Sequence, residues 1–537
     1  MVFSSKSLSI RNLNALTAIV MVMLLPVTSL PAQQAPAPDI KVSVRLVTLD
    51  VVVTDKKGNL VTNLNKDDFQ VYEDAQRQAI RTFEPPSAHL MPQASDGKSR
   101  VVVTSAADLP KIGNAPVTIL VLDELNTAFS DMSFARQSLE KFLHVQPEIL
   151  NQPTALLVAN NTKFQLLQDY TQKRADVLAA LKAHFPEYPW KMANGGKGGP
   201  NAVERIVQSL SSLLQIAEAT RGTPGRKNVI WVGVNAPGVD LSNADPVTVK
   251  EMNDVVKRVT QTLLATRVAV YYIDPTINSA ATVGIMVPDD SDDGDTFVAT
   301  DPFSADINFN EFAPATGGKI FMSRNDVNNE IATSIDNGNT YYSISYSPTN
   351  KSEDAAKFRN IKIKLSNPNL IATTREGYYP EGENANNVEA DLTLDANQRK
   401  SMLQMELSQA AVSAMAYNGL SVGAEKSVDK KLWQISVDGK NLSWTSAPSG
   451  MLVTEVTAMA VAFDDRANGS KGKYREGGKS KMLGHVSREL QSERTAGSSV
   501  GAVVFQLPVE IPGGTTRVRI VMRDAVSGRI GTYDTTP

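Results

Sequence analysis

An acidic run near the middle of the chain has the residue types and the spacing of a metal site. It contains the alternating oxygen donors Asp289, Ser291, Asp293 and Asp295. Together with Gly294, this order matches the opening of an EF-hand-like calcium loop. Such a loop also needs a bidentate glutamate at its twelfth position, where this chain has Thr300. Because blocks of like charge are usually solvated and unstructured, we expect an acidic insertion here, with a Ca²⁺ loop as the alternative.

Catalytic chemistry has weaker support. The four histidines are His89, His144, His184 and His485, and none belongs to a His-Glu-x-x-His zinc motif. The absence of cysteine excludes thiol catalysis, thiolate metal sites and disulfides. No phosphate-binding Gly-x-x-x-x-Gly-Lys sequence occurs. We therefore expect a protein that is not an enzyme and that requires no cofactor, with a cryptic hydrolase as the least favoured alternative.

The N-terminus indicates export. Lys6 and Arg11 precede an apolar run over residues 15–25, and the small residue Ala32 follows. This pattern is typical of a secretory signal peptide, and the run is shorter than the about 20 residues that span a bilayer. We predict a signal peptide over residues 1–32, with an uncleaved anchor as the alternative, and a periplasmic or extracellular protein. The net charge of −3 is unlike the basic footprint of a nucleic-acid-binding protein.

Hydrophobic patterning divides the rest of the chain into parts. Alternating apolar residues predict an N-terminal β module at 40–84, followed by a linker at 85–113. Over 114–380, apolar strands alternate with amphipathic helices, which predicts an α/β domain with a doubly wound, mainly parallel sheet. We place the strand at 340–345 in this sheet and a hairpin at 358–379 on its edge. A linker with one helix is predicted at 381–425, and short strands separated by turns predict a β-sandwich at 426–537.

Three groups of motifs carry a family resemblance. They are the run 47–55 with Gly58 and Glu73-Asp74, then Leu120-Val121-Leu122-Asp123 with Asn126-Thr127, and then Gly225-Arg226-Lys227-Asn228. In this order, over roughly residues 40–380, the chain resembles the von Willebrand factor type A (VWA)-related proteins first grouped from acidobacteria. The resemblance implies a VWA-like α/β domain, export, and a binding function toward ligands that are mostly undefined.

The resemblance also implies where a metal would bind. Type A domains often hold a divalent cation at a site called MIDAS, which begins with the motif Asp-x-Ser-x-Ser. Asp123 and Thr127 match the first and last positions of this motif, but Leu125 replaces the middle serine and cannot ligate a metal. We therefore expect a degenerate site in which Asp123 and Asn126 cap the loop, with Mg²⁺ bound through Asp123 and Thr127 as the alternative.

The later loops give equally partial matches, with Pro200 and Asn201 or Asn235 where a type A domain has threonine or aspartate. The predicted ligand-binding face consists of Asp123, Asn126, Thr127, Pro200, Asn201 and Asn235. We expect an exported binding or adhesion protein that presents this face to an unidentified protein partner. The alternative is a structural or assembly protein of the cell envelope that makes its contacts through its β domains.

Overall fold

The described part of the chain has strands first, then alternating strands and helices, and then longer strands. The computed structural model describes residues 46–93, 101–160, 164–186, 200–234, 245–276, 308–322, 326–349, 358–379, 396–427, 432–465 and 480–537. The strands up to residue 379 are β1 (Val47–Asp55), β2 (Phe69–Glu73), β3 (Gln76–Gln78), β4 (Ile80–Glu84), β5 (Val117–Asp123), β6 (Ile149–Ala159), β7 (Phe164–Lys173), β8 (Lys227–Val232), β9 (Val268–Ile273), β10 (Ile320–Phe321), β11 (Tyr342–Tyr346), β12 (Arg359–Leu365), β13 (Leu370–Thr373) and β14 (Gly377–Tyr378). The later strands are β15 (Val422–Lys426), β16 (Leu432–Asp438), β17 (Thr445–Ser446), β18 (Met451–Asp464), β19 (Lys481–Thr495), β20 (Ala502–Pro508), β21 (Arg517–Asp524) and β22 (Ile530–Thr535). The helices are α1 (Phe129–Val145), α2 (Arg174–Ala183), α3 (Pro200–Ala219), α4 (Pro246–Ala265), α5 (Phe312–Ala315), α6 (Val327–Asn339) and α7 (Ala396–Val412).

Strands β5 to β10 form one mixed sheet in the order β10-β9-β8-β5-β6-β7. All neighbours are parallel except β7, which pairs antiparallel with β6. Every residue of β5, β8 and β9 is buried, as is typical of parallel strands covered on both faces. Side chains of α3 and α4 pack on one face, and those of α1, α2 and α6 pack on the other. The prediction of a mixed α/β fold with a mainly parallel sheet is confirmed.

The N-terminal strands are completed by strands from beyond the parallel sheet. One antiparallel sheet has the order β13-β1-β11-β4 and a second has the order β14-β12-β2-β3, with apolar side chains of both in one core. The placement of 340–345 in the parallel sheet is therefore wrong, because β11 pairs antiparallel with β1, with Val51 opposite Tyr342. The predicted hairpin at 358–379 is also wrong, because β12 pairs with β2 and β14 in one sheet whereas β13 pairs with β1 in the other. The fully buried pattern of β11 resembles a parallel strand, but it does not reveal the pairing partner.

A buried carboxylate connects the strands of this N-terminal β-sandwich. Glu73, at the end of β2, is fully buried. It accepts hydrogen bonds from the hydroxyls of Tyr346 at 2.6 Å and Tyr378 at 3.0 Å, and from the guanidinium of Arg359 at 3.2 Å. These three residues lie on β11, β14 and β12. The Glu73-Asp74 motif thus has a structural role in which one carboxylate joins early and late strands.

The C-terminal part is a two-sheet sandwich attached through a helix. Strands β15, β16 and β20 form one sheet, β17, β18, β19, β21 and β22 form the other, and a common apolar core lies between them. The predicted helix forms as α7, which packs against β21 and shares a core with α3 and α4. Glu406 of α7 accepts from Arg258 of α4 at 3.1 Å and from Arg523 of β21 at 2.8 Å. This ion-pair bridge and the shared core hold the C-terminal sandwich against the α/β part.

Residues 85–113 were predicted to be a linker, but part of this segment is folded into the core. Residues 106–112 form a 3₁₀ helix, and Val103, Leu109 and Ile112 are buried in the core beneath the parallel sheet. This segment therefore closes the sheet face that α3 and α4 cover.

Replacing Glu73 with glutamine should destabilise the fold, because Arg359 would lose its buried counter-charge. Removing one partner of a buried ion pair costs about 3–5 kcal/mol, and glutamine keeps an acceptor oxygen, so we expect a loss of about 3 kcal/mol in the free energy of unfolding. Urea denaturation measures this loss. Glu493→Gln, on the exposed strand β19, is the matched control and should change the free energy by less than about 0.5 kcal/mol. Equal effects of the two substitutions would contradict the assigned role of Glu73.

Candidate functional site

The order of the parallel sheet reverses between β5 and β8. The chain continues from β5 toward β6 on one side and from β8 toward β9 on the other. The loops that follow these two strands therefore diverge, and doubly wound sheets bind ligands in the crevice that results at the carboxyl ends of the strands. Asp123 ends β5, and Gly233 follows β8. The residues predicted at 123–127 thus lie at the switch point of the sheet.

The carboxylate of Asp123 is fully buried and accepts five hydrogen bonds. The backbone N–H groups of Leu125 and Asn126 donate to Oδ1 at 3.1 Å and 3.0 Å. The side-chain amide of Asn126 donates to Oδ1 at 3.1 Å and to Oδ2 at 2.9 Å, and the indole Nε1 of Trp231 donates to Oδ2 at 3.0 Å. All these donors are N–H groups, and they surround the oxygens that a cation would need.

The neighbouring residues join this loop to β8 and α3. Thr127 Oγ1 accepts a hydrogen bond from the backbone N–H of Val234 at 2.8 Å, and the Asn126 amide donates to Ser209 Oγ on α3 at 3.2 Å. Gly233 permits the close approach of the two loops. Its φ is +155°, and a Cβ there would lie 2.5 Å from Thr127 Oγ1 and 2.6 Å from Asp123 Cβ. The loops at the switch point are therefore held in one arrangement.

Burial dominates the electrostatics of this site. It raises the pKa of Asp123 to about 6, although the hydrogen bonds from Asn126 and Trp231 act in the opposite direction. Burial also lowers the pKa of Arg205 on α3, and the attraction of Asp123 opposes this effect. The phenol of Tyr272 has a raised pKa because it is buried and lies near Asp123. At neutral pH the site contains an ionised carboxylate whose charge is stabilised mainly by N–H dipoles.

The structure brings three of the predicted site residues together and buries them. Asp123, Asn126 and Thr127 have exposed fractions of 0%, 2% and 1%. Pro200 and Asn201 begin α3, but their side chains lie outside the described residues. Asn235 and the acidic run with Asp289, Ser291, Asp293 and Asp295 also lie outside them. The described part of the predicted face is thus a buried framework, and solvent contact belongs to other side chains.

Two exposed aromatic residues flank this framework, and the sequence analysis did not identify them. Phe129, the first residue of α1, is 53% exposed, and Phe185, just after α2, is 80% exposed. Arg136 of α1 donates to the backbone oxygen of His184 at 2.7 Å, and His184 Nε2 lies 2.8 Å from Glu124 Oε1. These contacts place the end of α2 beside the 123–127 loop. The sequence gives no signal of their exposure, because Phe129 lies three residues before buried Met132 and Phe185 lies four residues after buried Leu181, spacings that predict the buried face of a helix.

One catalytic spacing was also missed at the sequence level. Residues 497–501 read Gly-Ser-Ser-Val-Gly and match Gly-x-Ser-x-Gly. They lie between the antiparallel strands β19 and β20, whereas the nucleophile of a hydrolase of that type lies on a strand-to-helix turn. The spacing at 497–501 therefore does not by itself define a nucleophile.

Among the residues with described positions, no group of three histidine, aspartate or glutamate side chains could hold a metal ion.

Comparisons with known proteins give structural likeness only. No protein-family profile and no curated protein matches the chain. Solved structures similar to it include an aerotolerance-related membrane protein from Bacteroides fragilis, with a TM-score of 0.25 and 11% identity over 42% of this chain and 98% of that one. The SpRpn10 VWA domain has a TM-score of 0.18 and 12% identity over 30% of this chain and 90% of its own. The human COPII-coat protein Sec24c has a TM-score of 0.22 and 10% identity over 56% of this chain and 50% of its own.

The helices give one further result. None of those in the described ranges is long and apolar enough to cross a bilayer.

Asp123 should make the stability depend on pH. Its pKa of about 6 in the fold exceeds the ordinary value of 3.8, so its contribution to stability is fully present below about pH 4 and is lost as the pH rises through 6. Asp123→Asn cannot ionise. Between pH 4 and pH 7.5 the free energy of unfolding of the natural protein should therefore fall by about 2.5 kcal/mol relative to that of the variant.

Urea unfolding of both proteins at several pH values measures this difference. Only its change with pH is diagnostic, because the substitution also alters hydrogen bonds at every pH. A difference that stays constant from pH 4 to pH 7.5 would contradict the raised pKa.

Proposed function

We propose that this chain is an exported VWA-like binding protein, related to the type first grouped from acidobacteria, that holds a protein partner at the carboxyl end of its parallel sheet. The observation that carries this proposal is the pair of exposed aromatics, Phe129 and Phe185, beside the rigid loop at the switch point. The strand order with its antiparallel edge strand supports a VWA-like domain. The charged and apolar pattern within residues 1–32 supports export.

The arrangement suits binding because exposed aromatic side chains can contact a partner while buried polar residues hold the loop in place. Aromatic side chains are frequent energetic anchors in protein interfaces, where a few residues carry most of the binding energy. Such anchors are most effective on a rigid support, because little ordering is then needed on binding. The hydrogen bonds of Asp123, Thr127 and Asn126 provide that support. We propose a binding function without catalysis.

We also propose that capture of the partner does not require a metal. A cation at Asp123 would have to displace the amide of Asn126 or the indole of Trp231 from the carboxylate oxygens. Leu125, which is fully buried, offers no oxygen from its side chain. Thr127 already accepts a hydrogen bond through its hydroxyl. Apolar contacts and ordinary hydrogen bonds therefore take the place of a metal-bridged carboxylate in this proposal.

A double variant, Phe129→Ser with Phe185→Ser, should retain its partner at least tenfold less well, because it removes the aromatic anchors. The full chain would be used as bait in a crosslinking pull-down from the native cell envelope, and the captured protein would be quantified by mass spectrometry. The melting temperature should not fall, because both side chains are exposed.

Val145→Ser is the matched control. Val145 is 77% exposed at the opposite end of α1, away from the switch point, so this change should leave retention unaltered. Retention that is equal in all three proteins would exclude this face as the binding surface.

Treatment with EDTA should leave both the melting temperature and partner retention nearly unchanged. A metal held at 100 times its dissociation constant would stabilise the fold by about 2.7 kcal/mol, and its removal would lower the melting temperature by a few degrees. If EDTA produces such a drop in the natural protein but not in Asp123→Ala, the metal-free proposal is wrong. Calcium bound at the acidic run would instead give a drop that Asp123→Ala preserves.

A second candidate function is assembly through the β domains, and one observation favours it. Strand β19 is 15 residues long, pairs with β18, and is mostly exposed or half-buried. No other strand in the described segments pairs with its outer edge. An edge of this length could accept an extended segment of a partner by β-strand addition. This function is favoured if retention survives the double phenylalanine variant but is lost when proline replaces alternate residues of β19.

A further inference from the structure

Two chain connections join the N-terminal β-sandwich to the parallel sheet, and they meet in space. The chain leaves the sandwich after β4, which ends at Glu84, and it returns at β11, which begins at Tyr342. All strands of the parallel sheet lie between these two points of the sequence. Residues 85–89 and residue 341, which form the two connections at the sandwich, are named the neck. A change in the neck therefore acts where the two parts of the molecule are joined.

An aromatic stack holds the neck together. His89 ends the short 3₁₀ helix Pro86–His89, and its ring stacks on that of Tyr341 with a centroid distance of 4.3 Å and an interplanar angle of 13°. Both residues are buried, with exposed fractions of 1% and 0%. The hydroxyl of Tyr341 also lies 3.5 Å from the backbone oxygen of Asn114, shortly before β5. The stack thus connects the outgoing chain, the returning chain and the start of the parallel sheet.

The imidazole of His89 is buried without a hydrogen bond. Neither ring nitrogen has a hydrogen-bond partner among the described groups. Glu84 Oε2 lies 3.9 Å from Nε2, which is beyond the range of a hydrogen bond. A neutral imidazole leaves one donor and one acceptor unpaired here, whereas an imidazolium would bury two unpaired donors and a full charge. The closed stack therefore favours the neutral form of His89.

Charged groups of both signs lie near this ring. Burial has the largest effect on the pKa of His89 and lowers it from the ordinary value of 6.5. The carboxylate of Asp50 on β1 opposes this effect, the guanidinium of Arg267 adds to it, and the carboxylate of Glu84 on β4 opposes it. Arg267 is also bonded to Asp50, with Nη2 2.5 Å from Oδ1, so the attraction of Asp50 is partly offset. The two carboxylates therefore do not compensate for burial.

Positive charge already lies against the other ring of the stack. The guanidinium carbons of Arg226 and Arg267 are 5.5 Å and 5.9 Å from the centroid of the Tyr341 ring. Protonation of His89 would place a third cation at the same ring. Like charges at such distances repel each other, most strongly where water is excluded. Repulsion and burial thus act in the same direction and favour separation of the two rings after protonation.

We propose that the stack of His89 on Tyr341 is an acid-sensitive clasp, which keeps the neck closed while His89 is neutral and opens when His89 binds a proton. In the open state the imidazolium reaches water and the turn at 86–89 leaves the segment that enters β11. Because the pKa of His89 is lowered in the fold, the contribution of the stack to stability is fully present above about pH 6.5 and is lost as the pH falls toward the lowered pKa. This inference does not depend on the proposed binding function.

Backbone hydrogen–deuterium exchange of the full chain tests the clasp, because it reports local opening separately from global unfolding. After correction for the intrinsic pH dependence of exchange, protection at residues 87–91 and 341–344 should fall by about fivefold or more between pH 7.5 and pH 5. Protection in β21, which lies in the C-terminal sandwich, should change little. Protection at the neck that is the same at both pH values would overturn the inference.

Variants assign the effect to one histidine. His89→Phe keeps a ring that can stack but cannot bind a proton, so its protection at the neck should be equal at pH 7.5 and pH 5. His485→Phe is the matched control, because His485 is exposed on β19, and it should show the full loss of protection. A loss that persists in His89→Phe would contradict the clasp and point to Lys227, whose pKa burial lowers to about 7.

A second measurement needs no variant, in case His89→Phe fails to fold. Exchange of the imidazole C2 hydrogens, followed by mass spectrometry between pH 5 and pH 9, gives the pKa of each histidine in the natural chain. His89 should titrate below pH 6.5. A titration of His89 at or above pH 6.5 would overturn the inference, because protonation would then stabilise the closed stack.

Discussion

The parallel sheet must be covered on both faces, and the rest of the structure depends on this requirement. Its central strands have no exposed residue, so each face needs a layer of apolar side chains. One layer is made by α1, α2 and α6. The other, made by α3 and α4, continues into α7 and the C-terminal sandwich through one shared core. The C-terminal part thus packs against the helical layer that α3 and α4 form. The helices cover the two faces of the parallel sheet, and they leave the ends of its strands uncovered.

The sequence predicts the elements of this structure better than it predicts their partners. The apolar run of β5 and the helical repeat of α3 indicate their structures locally, because burial on both faces or on one face leaves a periodic pattern. The pairing of β1 with β11 has no such local pattern. Val51 and Tyr342 face each other from positions about 290 residues apart, and only the assembled fold brings them together. Pairing over such distances is therefore the part of the fold that this sequence could not reveal.

The candidate site shows the same division between local and global information. The capping role of Asp123 and Asn126 could be predicted from neighbouring residues, because the loop is short and its hydrogen bonds are local. The burial of these side chains could not, because it depends on Trp231 and Gly233 from a distant strand. The exposure of Phe129 was equally hidden, because an aromatic residue at a helix start normally suggests the core.

The composite N-terminal β-sandwich has a consequence for the order of folding. During synthesis, β1 and β2 emerge long before β11 and β12, which complete their sheets. At a translation rate of about 5–20 residues per second, the early strands wait roughly 15–60 seconds for their partners. Unpaired strand edges are prone to aggregate during such a delay. The parallel sheet lies wholly within the intervening segment, so closure of that sheet would bring the separated halves of the sandwich into contact.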